Sequence, residues 1–196
     1  MNDNQILTAG EFAAAKFDLP EAGRWVELVG GQLVTLDPPD TLHGTVVLNL
    51  SKALAEPLQG STEGYACFEL GLVVAKNPDT VRCPAISVFL SGDRFSEADK
   101  VVTNAEPALV VDVASTGARR RGIDDRIAEF QAMGVELIWV ADTVDREVHI
   151  HRSGRPSETL DGSQTLHGDA TTESPILAGF KVTVADLFAE PGWWCG

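Results

Sequence analysis

Two short apolar runs constrain this chain more than any other feature of its sequence. The first covers residues 81–89, the second covers residues 108–115, and a polar loop separates them. The second run is rich in valine and contains a single acid, Asp112, which predicts a strand buried on both faces. A carboxylate is costly to bury there unless a cation or a metal offsets its lost hydration. Asp112 is therefore either a site residue or the acidic half of a structural ion pair.

The first run bears on that choice through the residue that follows its proline. A Pro-Asp pair on one strand and an acid on the next would bring two carboxylates together to hold a divalent cation. In this chain Ala85 follows Pro84, so the first of the two acids is missing.

Length and charge limit the class of protein. A chain of 196 residues suits one domain and is long enough to bury a substantial core. A formal net charge of −14 opposes general nucleic-acid affinity, which depends on cationic contacts with phosphate. The obvious basic cluster is residues 119–121, with Arg126 about a helical turn beyond, and such a run is more often a solvated surface.

The cysteines and the N-terminal residues favour a cytoplasmic protein. Cys67, Cys83 and Cys195 are odd in number and lack C-x-x-C spacing, which supports neither a disulfide framework nor a zinc site. No basic segment followed by an apolar one opens the chain, and no apolar run reaches the length of a membrane span. We therefore expect a soluble protein with no membrane partner.

Periodicity predicts helices and strands in mixed order. Thr8 and Glu11 form a capping-box pattern before a short helix that ends near Asp18. Runs at 24–29 and 32–36 are joined by Gly30-Gly31 as a hairpin. The remaining predicted elements are a helix at about 42–58, strands at 65–75, 81–89 and 108–114, a helix at about 122–133 closed by Gly134, a strand at 136–141, hairpin segments after Asp142, a polar segment at 161–174, a strand at 177–184 and a helical turn at 185–189.

This order predicts an α/β fold in which a mixed sheet is flanked by helices. The N-terminal helix and hairpin and the C-terminal β-hairpins are additions to it. We expect a single domain over residues 1–196, with a core at about 24–142 and a C-terminal extension at about 143–196.

Four polar residues occupy positions where the pattern favours apolar ones. They are Glu27, His43, Asp112 and Arg126. Taken alone, Glu27 is best interpreted as a solvent-facing strand residue, and His43 as a helix-start or core histidine. Asp112 is harder to explain this way, and an ion pair with Arg126 is the best structural explanation for both.

Five sequence blocks in order carry a family resemblance. The chain reads ELVGG at 27–31, PDTLH at 39–43, VRCPA at 81–85, LVVDVAS at 109–115 and RIAEFQAMGVELIWVAD at 126–142. From about Thr8 to Phe188 it resembles the Uma-type family of putative restriction endonucleases, a bacterial branch of the PD-(D/E)XK nuclease superfamily.

The resemblance implies a restriction-endonuclease-like core with a magnesium site. The acid after proline and the acid of the next strand would bind the ion, and a lysine on the following helix would position or deprotonate the attacking water. Carried over to this chain, the catalytic positions are Glu27, His43, Asp112 and Arg126, and the metal ligands are Asp112 and Glu27.

The chain departs from that pattern at four positions. The aspartate after proline is Ala85, the strand glutamate is Asp112, the helix lysine is Arg126 and the usual helix tyrosine is Phe130. Of these four changes, the loss of a carboxylate ligand should weaken magnesium binding most, because the ion relies on few protein carboxylates. Arginine keeps its charge but cannot act as a general base. Asp79 or Glu69 is a candidate substitute ligand.

Three hypotheses follow. The first is a nuclease-fold protein with a degenerate site, weak or inactive as a magnesium-dependent DNA phosphodiesterase. The second is an active, divergent DNA endonuclease in which Glu27, His43 and Asp112 hold the metal. The third is a non-catalytic interaction module. A homodimer is expected, with Trp193-Trp194 as a candidate contact, although these residues would also pack onto the domain. A basic cleft over Asp112 favours the first two hypotheses, and an acidic or closed cleft favours the third.

Overall fold

The computed structural model describes residues 6–168 and 177–192. Trp193-Trp194 and Cys195 lie outside the described residues. The α-helices in the described part of the chain are α1 (Ala9–Ala15), α2 (Thr41–Gln59), α3 (Gly117–Arg121), α4 (Ile123–Met133) and α5 (Val184–Leu187).

The strands form two large sheets and a small one. They are β1 (Val26–Val29), β2 (Gln32–Thr35), β3 (Tyr65–Phe68), β4 (Gly71–Ala75), β5 (Thr80–Arg82), β6 (Ile86–Phe89), β7 (Val102–Thr103), β8 (Leu109–Ala114), β9 (Leu137–Asp142), β10 (Glu147–Arg152), β11 (Glu158–Asp161), β12 (Thr165–His167) and β13 (Lys181–Thr183). One sheet has the order β2-β1-β5-β4-β7, another β11-β10-β9-β8-β6-β3, and β12 pairs with β13. In the second sheet β8 and β9 are parallel and the other pairs are antiparallel, which confirms a mixed α/β fold.

Two runs predicted as single strands are each divided between the two large sheets. Residues 65–75 form β3 and β4, and the chain turns at Glu69, whose φ is 51°. Residues 81–89 form β5 and β6, and the break falls at Pro84, which has no N–H to donate to a ladder. The prediction of continuous strands was therefore wrong. The division of residues 81–89 between β5 and β6 places Ala85 at the corner where the two large sheets meet.

Local signals at the helix ends were predicted correctly. Thr8 and Glu11 form a reciprocal capping box at α1. The chain then continues as a 3₁₀ turn at Lys16–Asp18, which matches the predicted end near Asp18. Gly134 closes α4 in the left-handed conformation with φ 109°.

The C-terminal part of the chain contributes to the main sheet. β10 pairs with β9 and β11 with β10, so the six-stranded sheet continues beyond residue 142. Two further differences are local: β12 falls within the polar segment predicted at 161–174, and the closing strand is shorter than 177–184. In the described ranges no helix is both long and apolar enough to cross a membrane.

The two faces of the six-stranded sheet are covered by different helices. Val111 and Val113 of β8 pack in the same buried cluster as Leu50 and Leu54 of α2. Strand residues alternate between faces, so Asp112 points to the opposite side. On that side Val110 and Ala114 pack with Ile127 and Phe130 of α4. Asp112 therefore lies beneath α4.

Candidate functional site

A buried arginine joins the two predicted carboxylates. Arg126 Nε donates to Asp112 Oδ2 at 2.5 Å, and Arg126 Nη1 donates to Glu27 Oε2 at 2.6 Å. The exposed fractions of Glu27, Asp112 and Arg126 are 1%, 2% and 5%. Burial to this degree makes the contacts structural ion pairs, since unpaired charges would be too costly there.

A second arginine extends the same set of contacts. Arg82 Nη1 donates to Glu27 Oε2 at 3.1 Å. Its Nε and Nη2 donate to the two oxygens of Glu129 at 2.6 and 3.0 Å, a bidentate geometry that arginine is well suited to form. We call Glu129, Arg82, Glu27, Arg126 and Asp112 the buried ion-pair network.

Strand pairing and helix spacing bring these side chains together. Leu28 of β1 is paired with Val81 of β5, which places Glu27 beside Arg82. The Cys83 N–H, just beyond β5, donates to Glu27 Oε1 at 2.7 Å. Arg126 and Glu129 are three residues apart on α4, so they lie on one face of that helix. The network thus depends on contacts among β1, β5, β8 and α4.

The network keeps Asp112 and Arg126 ionised. Burial by itself would raise the pKa of Asp112, but the charge and hydrogen bond of Arg126 hold that pKa below its usual value. Burial would lower the pKa of Arg126, yet Asp112 and Glu27 raise it. Arg126 Nη2 is buried and has no hydrogen-bond partner among the described residues.

A narrow cleft lies over Glu27 at the corner between the sheets. Its volume is about 10 Å³, room for about one water molecule. Its lining residues include Arg24, His43, Glu69, Ala85 and Arg119. The cleft is therefore narrow and mixed in charge, with two cations, rather than uniformly acidic.

His43 faces this cleft but bonds elsewhere. Asp40 caps the start of α2 by accepting the His43 N–H, and His43 Nδ1 lies 3.2 Å from Ser115 Oγ. Burial lowers the pKa of His43, the positive charge of Arg119 lowers it further, and Asp112 opposes the shift. The ring is thus neutral at pH 7, and its described hydrogen bond is to Ser115 rather than to Asp112.

The predicted site residues are partly brought together. Asp112, Arg126 and Glu27 are directly connected, and the predicted Asp112–Arg126 ion pair is confirmed. The interpretation of Glu27 as solvent-facing was wrong, because pairing of β1 with both β2 and β5 turns it inward. Of the candidate substitute ligands, Glu69 lines the cleft. Asp79 instead accepts the N–H groups of Ala9 and Asn77 and holds the start of α1.

The family resemblance implies Mg²⁺, and the residues present do not fit it. All four carboxylate oxygens of Glu27 and Asp112 already accept hydrogen bonds, and Arg126 supplies positive charge between the two groups. Ala85 offers no ligand atom. In residues 6–168 and 177–192, no three His, Cys, Asp or Glu side chains are grouped to hold a metal ion.

Sequence reasoning missed three charged residues of this region, and it noted Arg119 only within a basic cluster interpreted as solvated surface. Arg82 stands inside the VRCPA block, and Glu129 follows Arg126 by three positions, so alternation and helical spacing were available signals. Arg24 carried no such signal, and the basic run at 119–121 did not indicate that Arg119 lines the cleft, because both positions depend on how β1 and α3 meet it.

Comparison with known proteins defines first the fold and then the family. The fold is similar to that of the crystal structure of "a putative nuclease belonging to DUF820" from Anabaena variabilis, with a TM-score of 0.72 and 18% sequence identity over 93% of this chain and 97% of that chain. The model of the Uma2 family, "Putative restriction endonuclease", matches residues 13–185. The chain belongs to this family. None of the curated proteins matches it.

Proposed function

We propose that this protein is a nuclease-fold protein whose metal site is degenerate. As a magnesium-dependent DNA phosphodiesterase it is weak or inactive. The observation that carries the proposal is the bridging position of Arg126, bonded at once to Asp112 and Glu27. A metal entering there would have to displace a fixed guanidinium and would meet its repulsion.

The chemistry of the substituted residues supports the proposal. A catalytic cation must neutralise charge that develops on phosphate, and it needs carboxylate anchors to do so. Ala85 removes one anchor, and Arg126 occupies the other. Arg126 also cannot take a proton from water, because a guanidinium stays protonated and its pKa is raised further here.

Cleavage of supercoiled plasmid DNA in Mg²⁺ or Mn²⁺ tests the proposal. We expect no cleavage by the wild-type chain and some by the triple variant Ala85→Asp/Asp112→Glu/Arg126→Lys. The matched control is the same triple variant with Ala85→Asn, which adds a similar side chain without the charge. Circular dichroism melts establish that both variants fold.

Two results would overturn the proposal. One is wild-type nicking that depends on metal and is abolished by Asp112→Asn. The other is saturable Mg²⁺ binding by the wild-type chain in calorimetry, which needs no variant to fold. Either result would favour the active, divergent endonuclease instead.

One observation favours that alternative. Glu27, His43 and Glu69 line the same cleft as Ala85, although their side chains are not grouped as a metal site within the described residues. If His43 ligates a metal there, His43→Ala removes both metal binding and nicking, whereas Asp79→Asn, at the start of α1, leaves them intact.

DNA as partner, a homodimer and a cytoplasmic location belong to the same proposal. The net charge of −14 means that DNA contact must come from a local cationic surface. A nuclease that cuts both strands commonly pairs subunits, and light scattering coupled to gel filtration measures this directly. A dimer without DNA affinity would support the non-catalytic interaction module.

A further inference from the structure

A wide groove adjoins the narrow cleft. Its volume is about 510 Å³, within the range of small-ligand sites. Arg24 and Glu69 line both the groove and the cleft, so the two are continuous. The groove lies between the end of β3 and the 3₁₀ turns that follow α1, at Lys16–Asp18 and Pro20–Gly23, which places it outside the buried ion-pair network.

Two exposed aromatic rings line this groove. Phe17 is 67% exposed and Phe68 is 51% exposed. Single exposed apolar side chains are common on protein surfaces, but these two phenylalanines lie in one groove and form a shared apolar surface. Their faces offer a surface on which a flat ring can stack.

Three cations around the groove and cleft lack carboxylate partners, whereas Lys100, which also lines the groove, pairs with Glu97. Lys16 Nζ contacts the Cys83 thiol at 3.3 Å. Neither Lys16 nor Arg24 nor Arg119 forms a salt bridge within residues 6–168 and 177–192, and Arg119 Nε is buried without a hydrogen-bond partner. In a chain of net charge −14, carboxylates are abundant, so three unpaired cations here indicate a place for an external anion.

Backbone conformation is unusual around the same groove. Glu21, Ala22 and Glu69 line it, and each has a positive φ, between 51° and 54°. They are half of the six non-glycine residues with positive φ in the described part of the chain. Left-handed conformations cost energy for residues with a Cβ and cluster at functional sites.

We propose that the groove, where it opens into the cleft, binds one unpaired nucleotide. Its base stacks on Phe17 and Phe68, and its phosphate lies at the mouth of the cleft, on the side of Arg24 and Arg119. The proposal deepens the proposed function by naming the ligand class at that site, but it concerns binding and requires no cleavage.

The combination of groups selects a nucleotide over other ligands. An acidic peptide would match the cations but has no need of two stacking faces. A base inside a duplex is already stacked, so only an unpaired base can reach the rings. Stacking on aromatic side chains is sequence-tolerant, because every base has a π face.

Fluorescence anisotropy with a fluorescein-labelled ten-nucleotide oligo(dT) in EDTA tests the proposal. We expect Phe17→Ala and Phe68→Ala each to weaken binding about tenfold. Arg24→Gln and Arg119→Gln should each lower the salt dependence, the slope of log K against log salt, by about 0.7. Matched controls are Phe95→Ala, an exposed phenylalanine outside the groove, and Arg155→Gln, an exposed arginine on the β10–β11 turn.

Competition distinguishes the source of the nucleotide. Displacement of the oligonucleotide by adenosine 5′-monophosphate indicates a free mononucleotide, and resistance to it indicates a nucleotide unit within a strand. Either supports the proposal if the groove variants weaken binding and the controls do not. No binding, equal effects of groove and control variants, or displacement of the oligonucleotide by inorganic phosphate at the same concentration as by the mononucleotide would overturn it. Because EDTA removes metal from the assay, a failure here is independent of the plasmid-cleavage result.

Discussion

Arginines on the two sides of Glu27 are used in opposite ways. Arg82 and Arg126 lie in the interior and each contacts two carboxylates. Arg24 and Arg119 line the cleft and form no salt bridge with any described residue. The first pair is committed to the fold, whereas the second pair is available to a ligand.

The difference lies in the cost of removing a charge. A buried ion pair contributes little relative to apolar packing, but deleting one partner strands the other in a medium that hydrates it poorly. A cation at the mouth of a cleft remains partly hydrated, and its deletion leaves no buried carboxylate without a charge partner. Substitution of the interior arginines should therefore lower the free energy of unfolding, whereas substitution of the cleft arginines should lower ligand affinity.

The largest expected effect is that of Arg126→Met. It leaves Asp112 without its charge partner and removes one of the two cations that contact Glu27, and we expect a loss of about 3–5 kcal/mol in the free energy of unfolding. Urea denaturation measures the loss. The matched control, Arg119→Met, should cost less than about 1 kcal/mol. Equal losses in the two variants would erase the distinction between committed and available arginines.

Asp112→Ala should have the next largest effect. In this variant Arg126 retains its ion pair with Glu27. We therefore expect the free energy of unfolding to fall by about 3 kcal/mol, near the lower end of the range for breaking a buried ion pair. The double variant Asp112→Ala/Arg126→Met should lose less than the two single losses combined, with a coupling of about 0.5–3 kcal/mol. Strict additivity, or an unchanged midpoint for Asp112→Ala, would contradict a buried pair.

A fifth arginine, at the surface, sharpens the comparison. Arg120 contacts Asp142 at 2.8 Å and Asp145 at 2.5 Å, and its side chain is 34% exposed. Because water screens such pairs, Arg120→Gln should cost about 0–1 kcal/mol, and the loss should shrink at 1 M salt. A salt-insensitive loss as large as that of Arg126→Met would show that burial is not the deciding factor.

The smallest expected effect is the pH dependence from His43. Its pKa in the folded protein is lowered from 6.5, chiefly by burial, so the unfolded chain binds a proton at a higher pH. The free energy of unfolding therefore falls as the pH drops from about 6.5 toward the lower pKa of His43 in the folded state. Above about pH 6.5 the contribution of His43 does not change with pH. The stability difference between wild type and His43→Gln, measured from pH 8 to pH 5, should decrease toward acid. An increase toward acid would mean that the folded state favours the charged ring.

Local patterns in the sequence predicted several features correctly. The capping box at Thr8, the left-handed glycine at Gly134 and the amphipathic α2 each depend on residues close together in the chain. The Asp112–Arg126 pair was also predictable, because an acid in an apolar strand needs a partner and the next helix offered one. The order of blocks further indicated the family.

The tertiary structure alone decided the rest. Whether Glu27 faces solvent depends on the strands on both sides of β1, and one of these, β5, lies about 50 residues away along the chain. Division of residues 65–75 and 81–89 between two sheets placed Ala85, His43 and Arg119 around one cleft. Hydrophobic period and capping are local properties that sequence carries directly. The partner of a buried charge, and the cations left without one, are decided by contacts between distant segments.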